Sequence, residues 1–184
     1  MRIIGGKLKK KKLLAVPGAT TRPTSDRLRE TLFNILSVDV MDAVVLDLFA
    51  GTGALGIEAL SRHAHSAVFI DSQPQAISVI HKNIEACRFN DVIEVYKWDI
   101  TRNLNCLNDR DKLFNLVFMD PPYNLDMIPK ALDHLATTRS LSNNTTIVAE
   151  YSVGESIGGL PECYTVTDQR QYGKTAVAFL RYKM

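Results

Sequence analysis

At 184 residues the chain has the length of about one domain of ~150 residues with a small appendage, enough to bury roughly 70% of its unfolded surface without a disulfide or metal staple. Hydrophobic residues at 46% and charged residues at 23% exclude a disordered chain, and no apolar run approaches the ~18–20 residues of a membrane span. The net charge of +2 hides an asymmetry: residues 1–30 sum to +7 and the remainder to −5, a localised positive field suited to a polyanion.

Residues 1–23 read as a small separate element. Ile3 and Ile4 on one side, and residues 13–16 on the other, flank Gly5-Gly6 and a lysine run, consistent with a short hairpin. Pro23 biases Arg22 to extended geometry, and Thr24 or Ser25 can cap the next helix. That helix, 25–37, places Leu28, Leu32, Ile35 and Leu36 on one face, with Arg27, Arg29 and Glu30 outside it. An alternating pattern begins at residue 43. Strands are expected at 43–49, 66–70, 92–96, 114–119 and 145–150, with helices at 54–62, 74–87 and 126–137. Apolar strands separated by single helices imply crossover connections and a parallel sheet covered on both faces. Two last β-rich segments, 163–169 and 175–182, can form an antiparallel hairpin on the sheet edge.

Ligands of open α/β sheets bind beyond the carboxyl ends of the strands, so the residues there carry the functional reading. The first strand runs into Asp47-Leu48-Phe49-Ala50-Gly51-Thr52-Gly53-Ala54-Leu55-Gly56, a G-x-G-x-x-G turn between strand and helix. Asp71 ends the next strand, where a carboxylate can accept hydrogen bonds from ribose hydroxyls. Both features fit a nicotinamide dinucleotide as well as an adenosine cofactor without phosphates. Asp47 favours the second, because a carboxylate is unwelcome beside a pyrophosphate and suits a ligand with an ammonium group, such as S-adenosylmethionine. Ser72 follows Asp71, and Asp99-Ile100 follows the third strand; Trp98 can pack beside them or fill the core.

Asp120-Pro121-Pro122-Tyr123 ends the fourth strand. Two prolines stiffen the chain and fix its carbonyl directions. A planar amine inserted there can donate one N–H to the Asp120 carboxylate and the other to the Pro121 carbonyl, while Tyr123 stacks on the ring. Holding both hydrogens aims the nitrogen lone pair at an electrophilic methyl.

These blocks resemble class I S-adenosylmethionine-dependent methyltransferases acting on exocyclic amines. More narrowly the chain resembles the RsmD family of small-subunit (16S) ribosomal RNA guanine-N2 methyltransferases. The resemblance is carried by Arg2-Ile3-Ile4-Gly5-Gly6-Lys7, by Arg22-Pro23-Thr24 with Arg27, Arg29-Glu30 and Leu32-Phe33-Asn34, and by the Asp47–Gly53 and Asp120–Tyr123 motifs. Tyr172-Gly173-Lys174-Thr175 is also family-like. The lysine run departs from the more varied stretch of other members. The resemblance implies a seven-stranded Rossmann-like, mostly parallel α/β sheet with an N-terminal β-hairpin extension: residues 1–23 as that extension and 24–184 as the methyltransferase domain. It implies cofactor contacts from the 47–53 loop, Asp71 at the ribose and Asp99 near the adenine amine, with 120–123 holding the target guanine. Ribosomal RNA or a small-subunit assembly particle is the implied partner. The basic arm (Arg2, Lys7, Lys9, Lys10, Lys11, Lys12 and Arg22) would supply sequence-independent affinity for it.

Other features carry less. Gly173-Lys174-Thr175 resembles the end of a phosphate-binding loop, but Asp168 stands where that motif needs glycine. Cys87, Cys106 and Cys163 form no C-x-x-C pair, so reduced thiols in a cytoplasmic protein are expected, with no metal. The four histidines are scattered. Glu150 ends the fifth strand, as a helper in the base pocket or in a salt bridge; Lys174 and the Arg22–Thr24 turn are further candidate contacts. An adenine-N6 DNA methyltransferase would use the same four residues but usually carries a sizeable target-recognition region; a nicotinamide dehydrogenase is disfavoured by Asp47, and a non-catalytic RNA-binding module by the intact motifs. Nothing demands a dimer.

Overall fold

The computed structural model describes residues 1–18, 25–108, 110–123 and 125–184. Seven strands form one sheet in the order β3-β2-β1-β4-β5-β7-β6: β1 (Val44–Leu48), β2 (Ser66–Asp71), β3 (Ile93–Lys97), β4 (Phe114–Met119), β5 (Leu141–Ser152), β6 (Tyr164–Tyr172) and β7 (Thr175–Tyr182). The β1–β5 pairings are parallel and β7 is antiparallel to both its neighbours. The expected C-terminal hairpin is present, with β7 inserted beside β5 and β6 left at the edge.

The described helices are α1 (Asp26–Ile35), α2 (Ala54–Ser61), α3 (Pro74–Cys87) and α4 (Met127–Thr137). Ser25 caps α1 by accepting the Leu28 N–H at 3.1 Å, Pro74 opens α3, and Arg88 ends it in a left-handed turn at φ 59°. Two apolar layers cover the sheet. One joins α1, α2 and α3 to β1 and β2 through Phe33, Ile57, Leu60, Ile80, Val45 and Phe69. The other packs α4 on β4 and β5 through Leu132, Leu135, Val117 and Ile147. No described helix is long and apolar enough to cross a membrane.

The two arms of the N-terminal hairpin meet in one antiparallel bridge, Arg2–Lys12, around a 3-10 turn at Gly6–Leu8. Within the arm the Ile3 N–H donates to the Lys11 carbonyl at 2.9 Å, the Lys10 N–H to the Ile3 carbonyl at 2.8 Å and the Leu13 N–H to the Met1 carbonyl at 3.1 Å, while four further backbone donors go to side chains of the body. The Ile4 and Gly5 N–H groups each reach the Glu58 carboxylate at 2.7 Å, the Leu8 N–H reaches Ser61 Oγ at 3.0 Å, and the Leu14 N–H reaches Asn83 Oδ1 at 2.7 Å. Glu58 and Ser61 are fully buried on α2, with Ile3 and Leu13 in the apolar layer around them. The arm is thus riveted to the helices that follow the glycine turn and β2.

Candidate active site

The sheet order reverses between β1 and β4, the place where strand ends splay and leave a crevice. Leu48 pairs with Met119 and with Ile70, so Phe49, Asp71 and Asp120 all lie one step beyond the same level. A cleft of about 1000 Å³ opens there, lined by Asp47, Phe49, Gly51, Asp71, Ser72, Asp99, Ile100, Asp120, Pro121, Pro122 and Tyr123. Met1, Arg29 and residues 15–18 of the arm also line it.

The turn after β1 is built from left-handed residues: Phe49 at φ 59°, Gly51 at 56° and Gly53 at 76°. Glycine adopts this freely, whereas a phenylalanine there is strained by about 1–3 kcal/mol. Gly51 lines the cleft. Gly53 is buried behind it as the cap of α2, where an added Cβ would meet the Phe69 ring at 3.3 Å. Gly56 is tighter still, since a Cβ would stand 2.4 Å from the same ring. The last glycine of the motif therefore serves helix–sheet packing, and its N–H donates to Asp47 Oδ2 at 2.9 Å.

Asp47 is 2% exposed. Burial, with the nearby Asp71 charge adding to it against the Gly56 hydrogen bond, pushes its carboxyl up to about 8. A buried acid in that state is suited to a cationic ligand, which would restore the ionised form. Asp71 is differently employed: Oδ2 accepts the Gly51 N–H at 2.8 Å and Oδ1 accepts the Gln73 N–H at 2.9 Å. Each carboxylate oxygen keeps a further lone-pair site for a hydroxyl. Asp99 is exposed, accepts from the Thr101 N–H and hydroxyl at 3.0 and 2.7 Å, and is held below the usual carboxylate range chiefly by that hydroxyl bond. Trp98 turns from the cleft, its Nε1 donating to the Asn103 carbonyl at 3.0 Å.

At the end of β4, Pro121 is buried while Pro122 and Tyr123 are exposed. Tyr123 is 38% exposed, and its hydroxyl donates to Glu150 Oε1 at 2.8 Å and lies 3.2 Å from Thr175 Oγ1. Desolvation, with Glu150 and Asp120 nearby, raises the phenol well above its usual range, so the ring is neutral throughout the physiological range. The β4–β5 register, Met119 beside Ala149, sets Asp120 and Glu150 on the same level of adjacent strands. Glu150 is thus a partner of the Tyr123 hydroxyl.

The basic residues divide. Lys9, Lys10 and Lys12 are exposed and Lys11 half-buried. Lys7 is also exposed, with its ammonium 4.8 Å above the Phe89 ring. Arg2 is exposed but paired with Asp26 at 2.9 Å. Arg22 and Thr24 lie outside the described residues. Arg29 departs from expectation: it is 1% exposed and walls the cleft instead of adding to the exposed positive face. The clue was present in the spacing, because Arg29 shares a helical stripe with Leu32, Phe33 and Leu36, all fully or nearly buried. Asn83, also 1% exposed, was missed as well. Its amide donates to the Thr52 carbonyl at 2.9 Å and the Leu14 carbonyl at 3.2 Å. Among the described residues no group of three or more His, Cys, Asp or Glu is placed to hold a metal.

Comparison with known proteins agrees with this architecture. The family model described as Conserved hypothetical protein 95 matches residues 1–181. The chain is 35% identical over 185 residues to YlbH of Bacillus subtilis, covering 98% of each. It is 32% identical over 176 residues to Ribosomal RNA small subunit methyltransferase D of Escherichia coli, covering 96% of this chain and 87% of that one. The solved structure of yhhF from Escherichia coli matches with a TM-score of 0.86 at 31% identity, covering 100% of this chain and 98% of its own. The chain belongs to the Conserved hypothetical protein 95 family, the RsmD family of methyltransferases.

Proposed function

We propose that the protein transfers a methyl group from S-adenosylmethionine to the exocyclic N2 of a guanine in small-subunit ribosomal RNA. One observation carries the reading: the glycine turn with Asp47 and Asp71, and the Asp120–Tyr123 elbow, wall a single cleft at the sheet's switch point. The donor would occupy the side of β1 and β2, and the base the side of β4. When bound, the cofactor supplies an electrophilic methyl on a sulfonium centre.

The chain's own residues do the rest by orientation. Asp47, buried and poised to ionise, would receive the ammonium of the donor's amino-acid end, and Asp71 the ribose hydroxyls. A guanine amine is a poor nucleophile because its lone pair is delocalised into the ring. The Asp120 carboxylate and the Pro121 carbonyl would hold its two hydrogens and turn that lone pair toward the donor carbon. Tyr123, steadied through its hydroxyl, would stack on the base. The nitrogen carries a positive charge once it has taken the methyl group, and this methylated ammonium is strongly acidic, so its proton leaves to water without a specially tuned base. A guanine paired within a helix hides this amine, so the substrate must present it unstacked, and the exposed lysines would hold the flanking phosphates.

The test is mass analysis of nucleosides after incubating the protein and S-adenosylmethionine with unmethylated small-subunit RNA, both naked and in assembly particles. N2-methylguanosine is expected from at least one of the two. A methyl group found only on adenosine, or no transfer to either form, would reject the reading.

A further inference from the structure

We propose that Arg29 is the anion anchor of the cleft, taking the carboxylate at the amino-acid end of S-adenosylmethionine; the inference rests on the cofactor reading above. Arg29 is 1% exposed, the largest of the fully buried side chains. Only part of its guanidinium is occupied. Nη2 donates to the Arg2 carbonyl and to Asp26 Oδ1, both at 2.8 Å, whereas the buried Nε and Nη1 have no hydrogen-bond partner among the described residues. Its one anionic partner among the described residues, Asp26, is 43% exposed and shared with Arg2.

A buried cation with unused donors is costly unless something completes it. The position says what. Arg29 lines the same cleft as Asp47 and Gly51. The carbonyl it holds belongs to Arg2, whose neighbour Met1 meets the Thr52 hydroxyl of the glycine turn through Sδ at 3.6 Å. The cleft therefore offers a buried acid suited to a cation and a buried guanidinium suited to an anion, the complement of an α-amino-acid zwitterion. A phosphate of the RNA is the other source of an anion. The depth of Arg29, and its link to the glycine turn through the arm, favour the carboxylate. Arginine suits the task because its donors form a planar array that stays charged when desolvated.

Because Arg29 also holds the arm, loss of affinity in a variant would not by itself be diagnostic; a pair of ligands separates the roles. Calorimetry would compare S-adenosylmethionine with its decarboxylated analogue, on the native chain, Arg29→Gln and Arg29→Lys. The native chain is expected to bind the complete cofactor about ten- to a hundredfold more tightly. Arg29→Gln should lose that preference while binding the analogue as before, and Arg29→Lys should recover part of it. Equal affinity of the native chain for both ligands would overturn the proposal without any variant. Parallel weakening of both ligands in Arg29→Gln would reduce Arg29 to a structural post. Unchanged cofactor binding with weakened binding of cofactor-free protein to RNA would reassign it to a phosphate. A native chain that binds neither ligand would overturn the cofactor reading itself.

Discussion

Tyr123 and Glu150 face one another across the ends of β4 and β5, the tyrosine hydroxyl donating to the buried carboxylate at 2.8 Å. The bond ties down an exposed ring in the wall of the cleft, its hydroxyl spent on the scaffold. Tyr123→Phe should keep the stacking surface but lose the tether, lowering kcat about five- to tenfold with cofactor affinity within twofold. Tyr123→Ala should cost about a hundredfold, since stacking contributes about 1–3 kcal/mol per base. Steady-state kinetics would check both, and a Tyr123→Ala variant as active as the native chain would remove the ring from the base site.

Asp120 is assigned to the amine rather than to the donor. Asp120→Ala is therefore expected to reduce kcat by about a thousandfold while the cofactor dissociation constant, read by calorimetry, changes less than threefold. A comparable loss in both quantities would mean that Asp120 holds the cofactor.

The raised carboxyl of Asp47 makes two pH predictions. Below about 8 the buried acid is protonated, so seating a cation against it must release that proton. Cofactor affinity should then climb by up to about tenfold per pH unit between pH 6 and 8 and level off above; Asp47→Asn should be weak and flat. For folding, an acid near 4 when unfolded and near 8 when folded binds more protons in the native state between those values. Its contribution favours the fold below pH 4 and is lost as pH rises through 8. The unfolding free energy of Asp47→Asn relative to the native chain, read by chemical denaturation, should accordingly improve with rising pH, by an amount on the order of a few kcal/mol at pH 9.

The lysine run is expected to act through phosphates alone. Replacing Lys9, Lys10 and Lys12 by Gln should weaken RNA binding for all sequences alike. It should also reduce the slope of log affinity against log salt by roughly 0.7 for each lost contact with single-stranded RNA. Titration by fluorescence anisotropy at several salt concentrations would read this, and an unchanged slope would exclude the arm from the RNA path.

Much of this was legible because period and punctuation agree. Strands β1, β2 and β4 are short apolar runs, and each is followed by residues that do not continue the ladder comfortably: the left-handed Phe49-Gly51 turn, Asp71 capping its own bend, and two prolines after Asp120. Those ends became the cleft, so the motif residues and the site coincide. The insertion of β7 between β5 and β6 was not legible, because a hairpin read from sequence does not say which strand faces inward. Arg29 escaped for a different reason. Charge suggested solvent, while its spacing from Leu32 and Phe33 pointed inward, and burial followed the spacing. Asn83 and Glu58 escaped likewise, since their value lies in backbone groups of a segment some 50 to 70 residues distant in the chain, which no local pattern reveals.

Asn83 has a broader consequence. One amide grips the Thr52 carbonyl under the glycine turn and the Leu14 backbone of the basic arm. The segment that would meet a polyanion and the turn that would cradle a small molecule are clipped to the same peg. The two segments therefore share one support, so removing that single amide would unfasten both at once.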